Sequence, residues 1–176
     1  MQNRMVLPWI LASLLLVSVI CPQEAEAWLY HATRRAVAKR IMKHGVNPSK
    51  FKARSRFGKG FYTSSRPGTA VAEKGKGNVL IRLKENSSFH KRAMDLRIPK
   101  PENLRKYAGP KYDMRGAVKR QIIGPKLGKK VGKWAAKNGK IIKYRSTKNG
   151  GSNFFIPGQT LKSNKKVIIP QKIIDR

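Results

Sequence analysis

Few residues of this 176-residue chain have the type and spacing to do chemistry, and most of those fall outside catalytic patterns. Three histidines, His31, His44 and His90, share no ligand spacing, and Cys21 is the only cysteine, so no metal site is expected. No G-x-S-x-G turn presents a serine nucleophile. The phosphate-cradling patterns G-x-x-x-x-G-K-[ST] and G-x-G-x-x-G are both absent. Glu73, Glu85, Asp95, Glu102, Asp113 and Asp175 form no patterned acidic pair, and in so basic a chain they are expected to pair with its own bases. Two segments stand out instead. One is Leu29-Tyr30-His31-Ala32-Thr33; the other is Arg56-Phe57-Gly58-Lys59-Gly60-Phe61-Tyr62-Thr63-Ser64-Ser65. Their plainest reading is a buried strand histidine and a core tyrosine; their sharper reading is a ligand site.

The elements that must position these residues read as strand, helix and strand. Residues 28–32 are bulky enough for a short strand, and Thr33 can cap a helix over 34–44. Within it Ala36 and Val37 fall on one face with Ile41 and Met42, and Gly45 stands where a left-handed residue ends a helix. Residues 57–63 read as a glycine-spaced aromatic strand. A short helix over 69–74 would stop at Gly75 and Gly77, and residues 78–84 alternate as a strand. Residues 86–110, weakly patterned and proline-broken, read as mostly loop. Residues 116–123 read as a short helix or strand, and 141–144, 153–156 and 167–169 as strands, punctuated by Gly150-Gly151, Pro157-Gly158 and Pro170. The mixture predicts one α+β domain.

The first 27 residues read as a signal peptide. Arg4, the apolar run 5–20 and Ala25-Glu26-Ala27 follow the order of a positive region, a hydrophobic region and a cleavage site. The run is short for a membrane span, which needs roughly twenty residues. Export to the periplasm or beyond is therefore expected, with residues 28–176 as a basic domain. Losing Arg4 from 40 basic residues, and Glu24 and Glu26 from eight acidic ones, leaves 39 and six, a formal charge of +33. Cys21 leaves too, so stability must come from an ordinary core rather than disulfides. A charge this large exceeds what solubility needs, and it draws in polyanions: nucleic acid, an anionic membrane surface or an acidic protein.

The two segments together, with a helix between them, resemble the first two motifs of the ADP-ribosyltransferase fold. The likeness is to its histidine-tyrosine branch, shared by poly(ADP-ribose) polymerases and many bacterial polymorphic toxins, and it covers residues 28–83. The resemblance implies an ADP-ribosyltransferase-like split sheet with short helices, and NAD as cofactor or substrate. It implies that His31 bonds the adenosine ribose, with Thr33 supporting the nearby backbone. Gly58 and Gly60 would let backbone approach the ligand, Tyr62 would stack on the nicotinamide, and Ser65 would bond the ribose or amide.

Active members carry a glutamate near the start of a late strand. Residues 163–170 look like the closing segment but offer Lys165 or Lys166 there. Gly150-Gly151-Ser152-Asn153 looks like the Gly-Gly-x-Gln strand of NAD-glycohydrolase toxins, with Asn153 in place of glutamine; its plain reading is a hairpin turn. Tyr62 and Asn153 are thus the expected catalytic pair. The tract 126–143 is expected to bind polyanions through Lys126, Lys129, Lys130, Lys133 and Lys137, with Trp134 as an aromatic contact. Its glycines and Pro125 are expected to spoil a continuous amphipathic helix. Two functions follow as expectations: an exported toxin-like enzyme that cleaves NAD or transfers ADP-ribose, held by an acidic immunity or target protein, or a non-enzymatic cationic binding protein.

Overall fold

The strand β1 (Trp28–Thr33) runs through the middle of the molecule, between β2 (Gly60–Ser64) and β3 (Val79–Glu85). In this computed structural model residues 28–74, 79–112 and 114–175 are described. The expected signal peptide, Gly75, Gly77 and Asp113 lie outside them. The chain forms a single α+β domain with one mixed seven-stranded sheet, ordered β4-β5-β6-β2-β1-β3-β7. The remaining strands are β4 (Ala93–Asp95), β5 (Ile141–Arg145), β6 (Ser152–Pro157) and β7 (Ile168–Ile174). β4 and β5 are parallel; the other neighbours are antiparallel.

Pairing along β1 is uneven. Six consecutive positions pair with β3, from Trp28↔Lys84 to Thr33↔Val79, whereas Tyr30↔Ser64 is the one paired position with β2. β2 pairs fully with β6 on its other side, from Gly60↔Pro157 to Ser64↔Asn153. The two halves of the sheet therefore part between β1 and β2.

Each face of the sheet has its own core. On one, Leu29, Phe61, Ile81, Leu83, Phe154 and Ile156 pack under Ala38 and Ile41 of α1 (Arg35–His44). On the other, Phe155, Ile142 and Tyr144 pack against Phe57 and two helices, α4 (Pro101–Ala108) and α6 (Pro125–Lys137). Full burial of each large apolar side chain contributes about 1.5–3 kcal/mol, so both faces are substantial. A smaller cluster seats α2 (Pro67–Lys74) through Ala70 and Val71 on Tyr30, Ala32 and Leu80.

The expected helix over 34–44 is present, with Gly45 at φ 73° donating its N–H to the Ile41 carbonyl. Thr33 does not cap it. It completes β1 opposite Val79, and extended Arg34 takes the cap position without a side-chain bond. Ala36 is exposed; Ala38 is the buried alanine. The strand expected from residue 57 begins at Gly60. Residues 86–110 hold more structure than expected, namely α3 (Ser88–Arg92), β4 and α4. Pro101 starts α4 rather than breaking it, because a first-turn proline lacks only an N–H that would go unbonded. α5 (Arg115–Arg120) resolves the helix-or-strand alternative, and α7 (Gly158–Ser163) follows β6. Pro170 lies inside β7, at the sheet edge beside a register shift, where a missing donor is tolerated.

The largest departure is α6, a continuous amphipathic helix through both expected breakers. Pro125 occupies its first turn. Gly128 and Gly132, one turn apart, face the loop before β2: an added Cβ would lie 2.7 Å from the Arg56 carbonyl oxygen and 1.9 Å from that of Phe57. Glycine here permits contact between helix and loop. In a helix interior Gly→Ala ordinarily stabilises by up to about 1 kcal/mol. Gly132→Ala should instead destabilise by about 1–3 kcal/mol through overpacking. Gly68→Ala in α2, where an added Cβ meets nothing within 4 Å, should be neutral or stabilising. Urea denaturation of the two variants checks both signs.

Candidate active site at the parting of the central strands

Beyond Tyr30↔Ser64 the imidazole of His31 takes the place of a ladder bond. Its Nδ1 donates to the Tyr62 carbonyl oxygen at 2.7 Å, and its ring lies 4.3 Å from that of Phe61. A carbonyl can only accept, so the proton resides on Nδ1 and Nε2 offers a lone pair. Burial lowers the His31 pKa from 6.5 to about 4; the Tyr62 carbonyl opposes the shift and the Lys74 charge adds to it. The ring is neutral at pH 7.

Strand alternation sends Tyr62 to the face opposite Phe61. Its ring lies 5.1 Å from Phe155, and its hydroxyl accepts the Phe57 N–H at 3.0 Å and reaches the Gly58 carbonyl at 3.4 Å. Burial, above all, raises the phenol to about 12, so Tyr62 can stack and hydrogen-bond but cannot serve as a base at neutral pH. His31 and Tyr62 thus occupy adjacent strands, joined through one backbone carbonyl, with their rings on opposite faces of β2.

The other expected site residues divide. Gly58 sits in the left-handed region at φ 96°, in open space. Gly60 is required by packing, because a Cβ there would fall 2.2 Å from the Phe155 ring. Ser65 is exposed and donates its N–H to the Ser152 carbonyl at 3.1 Å. Thr33 is half-buried at the end of β1. Asn153 is only 1% exposed and lies across from Ser64, whose hydroxyl donates to its Oδ1.

The Asn153 Nδ2 donates to Glu73 Oε1 at 2.9 Å, and the Ser146 hydroxyl donates to the same oxygen at 2.7 Å. Glu73 is the residue that motif reasoning missed. Pro67 starts α2 just after β2, which folds the helix back over the sheet. Thr69 then meets Gly151 so closely that a Cβ there would lie 2.3 Å from its hydroxyl. Four residues on, Glu73 reaches the β5–β6 connection from the same helix face. The i, i+4 pair behind a tight strand–helix junction was the available signal.

The Tyr144 phenol is pushed up by burial, with further contributions from Tyr62 and Glu73, and the Arg56 guanidinium lies 5.5 Å from the Tyr144 ring. A cleft of about 390 Å³ opens beside Ser152, bordered by Asp95, Arg97, Gln121 and Arg145. A larger one, about 550 Å³, lies between α5 and the start of α6. His31 and Tyr62 line neither.

Lys126, Lys129, Lys130, Lys133 and Lys137 are all exposed on α6, opposite the buried stripe of Leu127, Val131 and Ala135. Trp134 is half-buried, its ring 4.4 Å from Tyr107, so much of its surface is spent on α4. Among the described residues, no helix is long and apolar enough to cross a membrane. No protein-family model and no curated protein matches the chain.

The depressed His31 pKa links stability to pH. Between about pH 6.5 and 4 the unfolded chain binds a proton that the folded histidine refuses, so stability falls on acidification through this window. A shift from 6.5 to about 4 is worth on the order of 3 kcal/mol. His31→Gln should flatten the parent's extra loss between pH 7 and pH 4.5. Denaturant titrations of parent and variant at both pH values measure the difference, and equal slopes would refute the assignment.

Proposed function

We propose that the chain is an exported, toxin-like domain of the ADP-ribosyltransferase class that cleaves NAD or transfers ADP-ribose to a macromolecule. One observation carries the reading: a neutral His31 fixed by Nδ1 to the Tyr62 backbone where β1 and β2 part, a tautomer that leaves the lone pair on Nε2. A sheet interrupted between the two motif strands suits the split sheet that the resemblance implies. His31 Nε2 accepts from an adenosine ribose hydroxyl, while the Tyr62 ring, on the opposite face of β2, orders the loop at residues 57–58 through its hydroxyl rather than stacking on the same ligand. Cleavage of the nicotinamide–ribose bond passes through an oxocarbenium-like state, for which orientation and charge matter more than a strong base. Asn153, buried and bonded to Ser64 and Glu73, acts as a positioning residue rather than a substrate contact.

Incubating the full chain with NAD and quantifying nicotinamide by chromatography tests the reading. Release should be measurable and should fall at least about 100-fold in His31→Ala, the scale of losing an oriented contact to the reacting state. No release, in the presence or absence of RNA or lysate protein, sinks it.

The lysine face of α6 favours a second property in the same chain, binding of nucleic acid or an anionic membrane surface. Phosphate neutralisation makes log affinity fall linearly with log salt. Replacing Lys129, Lys130 and Lys133 together with Gln should reduce the slope on duplex DNA by about 2.7, at roughly 0.9 per lost phosphate contact. An unchanged slope in filter-binding titrations would place the contact elsewhere. Binding that survives in a chain without NAD cleavage would leave the non-enzymatic cationic protein as the reading.

A further inference from the structure

We infer that the cleft between α5 and the start of α6 receives an unpaired base of a single-stranded nucleic acid whose phosphates follow the lysine face of α6; this rests on the polyanion-binding property proposed for that helix. The cleft holds about 550 Å³, within the roughly 300–1,000 Å³ of small-ligand sites. Its lining matches the parts of a nucleotide. Tyr112 supplies an aromatic ring, Ala117 and Ile122 apolar surface, and Arg120 and Lys126 positive charge.

Those charges have no acid to neutralise them. Among the described residues neither Arg120 nor Lys126 pairs with a carboxylate, whereas Asp175 and Asp95 hold Arg35 and Arg97. Gly116 lets the Arg120 guanidinium fold back over α5, since a Cβ at Gly116 would lie 2.8 Å from Nη2. The smaller cleft beside Ser152 is bordered by the Asp95 carboxylate, which repels phosphate. No carboxylate stands among the described residues that line the α5–α6 cleft.

The cleft is continuous with the lysine face. Lys126 belongs to both, and Lys126, Lys130, Lys133 and Lys137 recur at i, i+4, i+7 and i+11 along one side of α6. They span about 16 Å at 1.5 Å per residue, the rise of roughly five stacked nucleotides of one strand. At the cleft end the Lys130 ammonium lies 5.9 Å from the centre of the Tyr112 ring, which ties the aromatic surface to the line of cations. Trp134, the aromatic residue of the helix itself, is turned onto Tyr107 and leaves stacking to Tyr112. A duplex keeps its bases paired and inside, so it can use the lysines but not the cleft. Stacking accepts any base, so binding has little sequence preference.

The test titrates the full chain with a short fluorescent single-stranded DNA, with the same sequence as a duplex, and with phosphatidylglycerol vesicles, over a range of salt. Tyr112→Ala should weaken single-strand binding about fivefold or more, the scale of losing one base stack, while duplex binding stays within about twofold. The slope of log affinity against log salt should not change, because no charge is lost. Tyr112→Phe, which keeps the ring, should match the parent. Arg120→Gln combined with Lys126→Gln should instead lower the single-strand slope by about 1.4, at roughly 0.7 per phosphate contact. If Tyr112→Ala loses its cooperative melt, Tyr112→Leu carries the test with the same expected loss. A smaller loss, a matching loss on the duplex, or an unchanged slope in the double variant overturns the base site and leaves polyanion binding intact. A parent that binds vesicles but neither DNA overturns the nucleic-acid ligand in favour of a membrane surface. One that binds none of the three overturns the polyanion reading as well.

Discussion

One backbone position and one side chain hold the middle of this sheet together. Tyr30↔Ser64 is the paired position between β1 and β2, and the His31 bond to the Tyr62 carbonyl takes up the acceptor that a continuing ladder would have used. A buried carbonyl left unbonded costs about 1–3 kcal/mol, so the histidine is structural before it is anything else. That same bond fixes the tautomer. By occupying Nδ1 it leaves Nε2 as an acceptor, and by being buried it keeps the ring neutral. The plain reading of a buried strand histidine and the sharper reading of a ligand contact are therefore two consequences of one geometry.

The scarcity of acid shapes the rest. With 40 basic residues against eight acidic ones, each carboxylate can find a cation, and Asp175 and Asp95 do so in close ion pairs with Arg35 and Arg97. Exposed pairs of this kind contribute at most about 1 kcal/mol each. Stability must come instead from the two apolar faces of the sheet. Against that background Glu73, held by a serine hydroxyl and an asparagine amide, is unusual in the kind of partner it has.

What was legible in the sequence followed from local pattern. The strand carrying His31, the helix ended by Gly45 and the strand carrying Tyr62 each announce themselves through periodicity or a terminating glycine. The α+β class and the late strands are legible for the same reason. Residues 86–110 were opaque because Phe89, Leu96 and Leu104, though all buried, are too widely spaced to show a period. The Asn153–Glu73 bond joins residues 80 apart and could not be seen from either neighbourhood. Gly128 and Gly132 misled because glycine lowers helix propensity; their reason for being there, the carbonyls of Arg56 and Phe57, lies on a distant loop.

Those two glycines also connect the halves of the functional question. α6 turns its lysines to solvent and its glycines to the loop 56–58, and the hydroxyl of Tyr62 closes that loop from the other side through the Phe57 N–H. The helix therefore cannot shift toward or away from the sheet without moving the backbone that holds Tyr62. Close packing transmits such displacements because it leaves no slack to absorb them. A polyanion drawn to the lysine face would press on a helix whose opposite face bears on the tyrosine loop. The lysine face of α6 and the parting of β1 and β2 are in this fold mechanically adjacent, so the two proposed activities need not be alternatives.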